Sequence, residues 1–246
     1  MTQRYPIARL RCALLFAAAA VLAPLDASAR VTEHNMHVDG FAVRYKVVLP
    51  DDYDPAKEYP GVLVFGGGPQ TMETVDRALE RNFRAEAEKR GYIVVAPAAP
   101  DGRLFFQGGE RIVPEFLDRL VREYKIAEGK FHVAGPSNGG IAALHVAAQN
   151  PDRFLSVTAF PGYLWQPTTD KLVAFAKLCV YLYIGEHDEY RWHDEMRREA
   201  QFLRSRGAVA SYTVEAGQPH RIETLAGANA GRLFDGFQAA KQGCTR

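Results

Sequence analysis

The feature that most restricts the fold is a regular alternation of short continuous apolar runs with longer segments of helical periodicity. The apolar runs are predicted strands, at residues 61–65, 92–96, 131–135, 155–160, 179–185 and 210–215. Most of these runs are continuous rather than alternating, as expected for strands that are covered on both faces. The sequence therefore predicts an α/β fold with a mostly parallel central sheet and helices on both of its faces.

The predicted helices fill the intervals between these strands. They cover residues 73–90, 113–125, 139–150, 191–206 and a final segment near 222–241. Ahead of the alternation, residues 36–49 are typical of an antiparallel hairpin that turns at Asp39-Gly40. No internal repeat or low-complexity linker interrupts the pattern, so residues 30–246 are expected to form a single domain.

The N-terminal segment has the order of a secretory signal. Arg4, Arg9 and Arg11 precede the run LLFAAAAVLAPL, and the small-x-small sequence Ala27-Ser28-Ala29 follows it. The run has about a dozen residues, which is short for a bilayer span. A buried helix or a membrane anchor is the alternative interpretation. We expect residues 1–29 to be a signal peptide that is cleaved near Ala29, which predicts an exported protein, periplasmic or secreted, without stable membrane insertion.

Charge and cysteine content limit the partners and suggest a disulfide. Lys and Arg total 30 and Asp and Glu total 29, without a basic stripe, so a nucleic-acid partner is not expected. Loss of Cys12 with the signal leaves Cys179 and Cys244. In an oxidising compartment these two could form a disulfide. The alternative is one buried thiol and one free thiol in the C-terminal tail.

One serine occupies a position that suits a nucleophile. Ser137 lies between the strand 131–135 and an alanine-rich helix, with Gly135 and Gly139 two residues away on either side. A nucleophile at a sharp strand-to-helix turn is strained, and small flanking residues relieve the crowding around it. A serine in this place could instead serve as an ordinary helix N-cap.

This Gly-x-Ser-x-Gly junction, with its surrounding strands and helices, resembles the α/β-hydrolase superfamily over essentially the whole mature chain. The resemblance implies a nucleophile, an acid and a histidine in that chain order. Ser137 is then the nucleophile, Asp188 the acid in the loop after the strand 179–185, and His220 the base before the final helix. Other acids near that loop are more simply interpreted as solvated charges, namely Glu186, Glu189 and Asp194.

The resemblance also implies an oxyanion hole. One donor would be the backbone N–H of Asn138, and the other would come from the glycine-rich segment after the strand 61–65, with Gly67 preferred to Gly68. Phe65 departs from the family pattern, which often has histidine there. A phosphate-binding loop is the alternative, but no Gly-Lys-Ser/Thr or G-x-G-x-x-G pattern follows. The implied chemistry requires no metal and no cofactor.

Four aromatic residues lie in loops at the carboxyl ends of predicted strands. They could line an apolar substrate pocket or cover the edge of the core, and they are Phe105, Phe106, Tyr163 and Trp165. Trp192, beside the acid loop, has the same two interpretations.

Within the superfamily, the chain resembles secreted esterases of the polyhydroxyalkanoate-depolymerase and feruloyl-esterase type. This narrower resemblance implies hydrolysis of a small-molecule or polymer-derived carboxylic ester. Two alternatives remain on the same scaffold. One is a serine peptidase of the prolyl-oligopeptidase type, although the long N-terminal propeller that is usual there is not expected. The other is an exported binding protein without catalysis.

Overall fold

The centre of the computed structural model is a mixed eight-stranded sheet. The structure describes Met1 and residues 31–244, so the rest of the predicted signal segment lies outside the described residues. The strands are β1 Val31–Val38, β2 Phe41–Val48, β3 Tyr59–Val64, β4 Ile93–Pro97, β5 Ile126–Gly135, β6 Phe154–Ala159, β7 Cys179–Gly185 and β8 Val209–Glu215. Their spatial order is β1-β2-β4-β3-β5-β6-β7-β8.

The hairpin at the start of the sheet is antiparallel, and the rest of the sheet is parallel from β4 onwards. β1 pairs with β2, and β2 pairs antiparallel with β4, whereas the remaining neighbours run parallel. Asp39 and Gly40 both have positive φ, 48° and 81°, as a two-residue turn of the type I′ class requires. The predicted fold class, including the antiparallel N-terminal hairpin, is confirmed.

Seven α-helices cover the sheet within the described ranges. They are α1 Met72–Ala78, α2 Arg84–Arg90, α3 Val113–Glu123, α4 Asn138–Gln149, α5 Thr169–Val173, α6 His193–Ser205 and α7 Gly231–Lys241. A π-helical turn, Leu79–Phe83, joins α1 to α2, so the single helix predicted at 73–90 is one helical segment with a widened turn in its middle.

Two hydrophobic clusters lie on the two faces of the sheet. One contains Val75 of α1 and Phe234 of α7. The other contains Phe116 of α3, Leu144 of α4 and Met196 of α6. Helices therefore pack on both faces, as the continuous apolar strands predicted.

Single strands contribute to both clusters because successive side chains of a strand point to opposite faces. In β3, Val62 and Val64 belong to the cluster with α1 and α7, whereas Leu63 belongs to the cluster with α3 and α4. All three side chains are fully buried. This burial on both faces explains why β3 lacks the alternation of polar and apolar residues that a half-exposed strand shows.

The C-terminal helix begins later than its sequence pattern suggests. Residues 222–229 contain two short 3₁₀ turns, Glu223–Leu225 and Gly227–Asn229, and α7 starts at Gly231. Ala226 between the two turns has extended backbone, with φ −127° and ψ 161°, which interrupts helical hydrogen bonding. The segment between β8 and α7, which contains His220, is therefore longer than the sequence pattern predicts.

A disulfide joins Cys179, at the start of β7, to Cys244, beyond α7. It ties the end of the described chain to the sheet. Among the helices of residues 31–244, none is both long and apolar enough to cross a membrane.

Candidate active site

The three side chains predicted to be catalytic come together at the carboxyl edge of the parallel strands. Ser137 follows β5, Asp188 follows β7 and His220 follows β8. These residues are far apart in sequence, but parallel neighbouring strands end at the same edge of a sheet. The sheet order places β5, β6, β7 and β8 side by side, so the three loops meet.

Ser137 is held in a strained turn between β5 and α4. Its φ of 55° and ψ of −125° are unusual for a residue with a side chain. Close packing around the turn explains the two flanking glycines. A Cβ atom on Gly139 would lie 2.2 Å from the carbonyl oxygen of Phe65, and one on Gly135 would lie 2.5 Å from the carbonyl carbon of Gly139. Any side chain at either position would displace backbone.

The hydroxyl of Ser137 is directed to His220 and not to the helix. Ser137 precedes the first residue of α4, but its side chain makes no capping hydrogen bond. Its Oγ lies 2.9 Å from Nε2 of His220. This arrangement argues against the N-cap interpretation, because a capping serine accepts a hydrogen bond from the first turn of its helix.

Asp188 supports the other nitrogen of the imidazole. Its Oδ1 lies 3.2 Å from Nδ1 of His220, and the same oxygen accepts a 2.8 Å hydrogen bond from the backbone N–H of Tyr190. The Asp188 side chain is fully buried, whereas the His220 side chain is 12% exposed. A carboxylate in this position fixes the imidazole with its proton on Nδ1 and its lone pair facing Ser137.

Two glutamates hold the histidine loop against the acid loop. Glu189 accepts a 3.0 Å hydrogen bond from the backbone N–H of His220, and Glu186 accepts a 2.8 Å bond from that of Gly217. The His220 N–H is the main reason why the pKa of Glu189 lies below its usual value. Both glutamates are exposed, as the sequence interpretation expected, and the structure adds a backbone partner for each, because these partners become neighbours only when the two loops meet.

The glycine-rich loop after β3 lies directly beside Ser137. A Cβ atom on Gly67 would lie 3.2 Å from the carbonyl oxygen of Pro136 and 3.7 Å from Cβ of Ser137. The backbone N–H groups of Gly67 and Asn138 donate to no backbone acceptor among residues 31–244. Gly68, with φ of 56°, also borders the cavity at Ser137. The structure thus brings the predicted donor residues to one place.

A buried glutamine, which the sequence did not indicate, connects this loop to its surroundings. Gln70 is fully buried, its Nε2 donates to the carbonyl oxygen of Asn138 at 3.3 Å, and its Oε1 accepts from the N–H of Phe105 at 2.9 Å. The side chain of Asn138 in turn donates to the carbonyl oxygen of Gly68 at 2.9 Å. These bonds fix the glycine loop relative to the start of α4.

The structure corrects the prediction that Phe105 and Phe106 line a substrate pocket. Phe105 is fully buried against Phe65, with ring centroids 4.5 Å apart, and Phe106 is 5% exposed and packs on Trp165. Both rings belong to the hydrophobic cluster on the α3 and α4 face. They face the core because the segment after β4 folds back onto that cluster, which a loop assignment from sequence did not anticipate.

Other aromatic rings are the ones that contact the histidine. Tyr190 and Trp192 lie with their ring centroids 4.5 Å and 4.9 Å from that of His220, both in edge arrangements. Tyr163 packs edge-on against Trp192 at 5.0 Å. Tyr163 therefore lies in a second layer behind Trp192, and Tyr190, a residue not singled out from the sequence, is 62% exposed at the site.

A cavity of about 230 Å³ opens beside Ser137 on the side of α1. Its lining includes Ser137, His220, Gly67 and Gly68. It also includes side chains from the first helical segment and from the residues after His220, namely Arg77, Ala78, Arg81, Asn82, Arg221 and Ile222. Ser137 and His220 thus border a space large enough for a small organic group.

Two other histidines are structural. His132 is fully buried, with its Nδ1 2.7 Å from Oγ of Ser156, and burial lowers its pKa to about 3. His145 is 5% exposed, hydrogen-bonded to Gln149, and burial lowers its pKa as well. Both imidazoles serve the packing of β5 and α4.

Comparison with known proteins agrees with this architecture. The model of the Esterase family, described as "Putative esterase", matches residues 107–240, which is more than half of the 246 residues. The chain belongs to the Esterase family. The matched range contains Ser137, Asp188 and His220, so the family assignment and the site geometry concern the same part of the molecule.

A sequence relative of this Esterase-family chain is a peptidase. The chain is 30% identical over 136 residues to dipeptidyl-peptidase 5 of Porphyromonas gingivalis. The match covers 50% of this chain and only 20% of the length of that relative.

Among solved structures, a thermostable esterase has a TM-score of 0.67 at 17% identity, and the match covers 87% of this chain and 62% of that esterase. A ferulic acid esterase has a TM-score of 0.61 at 18% identity, and the match covers 86% of this chain and 97% of that esterase. These structural likenesses show the α/β-hydrolase fold.

Proposed function

We propose that this hydrolase cleaves carboxylic esters through an acyl-enzyme formed on Ser137. The observation that carries the proposal is the continuous chain of hydrogen-bond distances from Asp188 Oδ1 to His220 Nδ1, 3.2 Å, and from His220 Nε2 to Ser137 Oγ, 2.9 Å. A nucleophile, a base and an orienting acid in this order are what acyl transfer by a serine hydroxyl requires.

In the first half-reaction, His220 Nε2 takes the proton of Ser137 as Oγ bonds to the carbonyl carbon of the ester. Asp188 stabilises the imidazolium that forms and keeps its ring orientation. The tetrahedral intermediate then collapses, and His220 returns the proton to the leaving alcohol. In the second half-reaction, water attacks the acyl-enzyme with the same base, releases the acid and restores Ser137.

The negative charge on the carbonyl oxygen needs prepositioned donors. The backbone N–H of Asn138, at the start of α4, is one proposed donor, and the N–H of Gly67 is the other, with Gly68 as the alternative. The backbone N–H groups of Gly67 and Asn138, which donate to no backbone acceptor in the described part of the chain, support this assignment. The hydrogen bonds of Gln70 and Asn138 hold both segments in place before substrate arrives.

A serine peptidase is the second candidate, and the similarity to dipeptidyl-peptidase 5 over half of the chain favours it. The same three residues could attack a peptide bond, since the acyl-enzyme mechanism is shared. A binding protein without catalysis would leave the Ser137 hydroxyl unreactive. Measurements of ester and peptide hydrolysis therefore distinguish these candidates.

The test compares the protein with Ser137→Ala, using a fluorophosphonate probe, short-chain nitrophenyl esters and proline-containing dipeptidyl substrates. We expect labelling and ester hydrolysis that both disappear in Ser137→Ala. Labelling together with cleavage of the peptides alone would favour the peptidase. Absence of labelling and of Ser137-dependent hydrolysis would overturn the proposal and favour the binding protein.

Export is a separate proposal. The order of charged, apolar and small residues before Ala29 supports it, and so does the disulfide between Cys179 and Cys244, because disulfides persist in oxidising compartments. Expression of the full chain in a Gram-negative host, followed by fractionation and N-terminal sequencing, tests it. We expect a periplasmic or secreted product that begins close to residue 30, and an uncleaved cytosolic product would contradict the proposal.

A further inference from the structure

We infer that this site prefers esters that carry a carboxylate a short aliphatic distance from the reacting carbonyl. The inference rests on the proposed ester hydrolysis and names a substrate class for it. Three arginines line the cavity at Ser137, namely Arg77, Arg81 and Arg221. Among the described residues that line this cavity, no Asp or Glu accompanies them.

The three arginines come from two separate segments of the chain. Arg77 belongs to α1, Arg81 to the π-helical turn, and Arg221 directly follows His220. The neighbour of Arg81, Asn82, is 3% exposed and donates a 2.7 Å hydrogen bond to the carbonyl oxygen of Leu225. This bond joins the π-helical turn to the segment after His220. Widened helical turns of this kind are frequent at functional sites, since they redirect side chains.

The nearby carboxylates do not balance these charges. Glu73 pairs with Arg77 at 2.7 Å, and Glu223 is shared by Arg81 at 3.2 Å and Arg221 at 3.4 Å. Two carboxylates thus face three guanidinium groups. Both glutamates are well exposed, and ion pairs with exposed partners are weak, so a bound anion can compete for the guanidinium groups.

Arg81 is the best placed of the three to bind an anion. Its side chain is 20% exposed, whereas that of Arg77 is 57% exposed and that of Arg221 is 64% exposed. A partly buried guanidinium is less screened by water and forms stronger charge-assisted hydrogen bonds. Its planar arrangement of donors matches the two oxygens of a carboxylate.

The rest of the cavity suits an aliphatic spacer. Ala78, Phe160 and Ile222 are all buried at 3% exposure and line the same space as Ser137 and Arg81. A substrate whose carbonyl is attacked by Ser137 would place a short hydrocarbon segment against these side chains. Its terminal carboxylate would then meet the guanidinium groups. Half-esters of short dicarboxylic acids have this shape and charge.

The experiment measures kcat/KM by titration of released acid at constant pH. Monoethyl succinate, glutarate and adipate are compared with the matching ester amides, in which a carbamoyl group replaces the carboxylate. A second arm uses 4-acetoxybutanoate against 4-acetoxybutanamide, which places the charge on the alcohol side. In at least one arm we expect a preference of about tenfold or more for the charged ester at low salt. The preference should fall as ionic strength rises.

Two variants test whether the preference for charged esters depends on the arginines of the cavity. Arg81→Gln should reduce the ratio of charged to neutral kcat/KM towards one. Arg84→Gln is the matched control, since Arg84 begins α2, pairs with Glu80 and Glu88, and does not line the cavity. It should retain the ratio of the unmodified protein. A ratio at or below one in both arms of the unmodified protein would overturn the inference, and so would a ratio that Arg81→Gln leaves unchanged.

A binding measurement separates this inference from the proposed function. Calorimetry of Ser137→Ala with monoethyl adipate should show binding that is lost in Ser137→Ala combined with Arg81→Gln. Arg81-dependent binding without any Ser137-dependent ester hydrolysis would support the anion site and contradict the esterase. Hydrolysis of neutral esters without charge preference or Arg81-dependent binding would leave the esterase and overturn the anion site.

Discussion

The side-chain amide of Asn138 donates a 2.9 Å hydrogen bond to the carbonyl oxygen of Gly68. This bond links the residue after the proposed nucleophile to the glycine-rich loop after β3, so one side chain connects the two segments that supply the proposed oxyanion donors. Gln70 reinforces the link through its own hydrogen bond to the backbone of Asn138.

Asn138→Ala keeps the backbone N–H at position 138 but removes this link. We expect kcat for a nitrophenyl ester to fall about tenfold or more, because small displacements of positioning groups are costly to catalysis. Asn150→Ala is the matched control, since its amide donates to the carbonyl oxygen of Val146 at the other end of α4. An Asn138→Ala protein with unchanged kcat would show that the glycine loop holds its position without this bond.

Asp188→Asn should lower kcat by about four orders of magnitude while the protein remains folded, because the amide favours the wrong tautomer of His220. Circular dichroism and ester kinetics check the two parts of this expectation. Asp194→Asn is the control, as Asp194 is an exposed acid in the first turn of α6. If Glu189→Gln proved as damaging as Asp188→Asn, the assignment of the acid would have to move to Glu189.

We expect Glu199 on α6 to make the free energy of unfolding depend on pH. It is buried, accepts a 2.9 Å hydrogen bond from the N–H of Leu164, and desolvation raises its pKa from 4.5 to about 7. Between these values the folded protein keeps a proton that the unfolded chain has released. The contribution of Glu199 to stability is therefore full below pH 4.5 and is lost as pH rises to about 7.

Glu199→Gln should remove this dependence. As pH rises from 4.5 to about 7, the free energy of unfolding of Glu199→Gln should increase relative to that of the unmodified protein by on the order of 3 kcal/mol. Urea unfolding at several pH values measures it. Glu195→Gln, on an exposed position of the same helix, should show no comparable trend. A pH-independent difference for Glu199→Gln would mean that Glu199 is ionised throughout.

The disulfide between Cys179 and Cys244 closes a long segment, with a sequence separation of 65. Cys244→Ser should lower the free energy of unfolding by about 4 kcal/mol, because the unfolded chain loses a constraint of that length. Denaturant unfolding with and without a reductant measures the effect. The reductant should destabilise the unmodified protein and leave Cys244→Ser unchanged, and equal sensitivity of the two would contradict the expectation.

The fold was predictable because its pattern is repeated along the chain. Each buried strand is a continuous apolar run and each covering helix has one apolar stripe, so local periodicity defines the layers. The start of α7 was predicted too early because the extended backbone at Ala226 depends on tertiary context. The short helix α5 was not predicted, as five residues give too little periodicity.

Ser137, Asp188 and His220 could be proposed from the sequence because each follows a strand in an order that a known family shares. Their approach in space follows from parallel strands ending at one edge. The roles of Gln70, Glu186 and Glu189 could not be read in the same way. Their hydrogen-bond partners are distant in sequence, and a buried or paired polar side chain has the same local pattern as a solvated one.

The sequence by itself determined the order of strands and helices and the turn that holds Ser137, because these depend on local periodicity and on glycines next to one residue. Only the tertiary structure decided which surfaces meet at that turn. It buried Phe105 and Phe106 in the core and placed Tyr190 and Trp192 against His220. It also brought Arg81 to the cavity of Ser137. Contacts between distant segments arise from packing of the whole chain, so no local pattern encodes them.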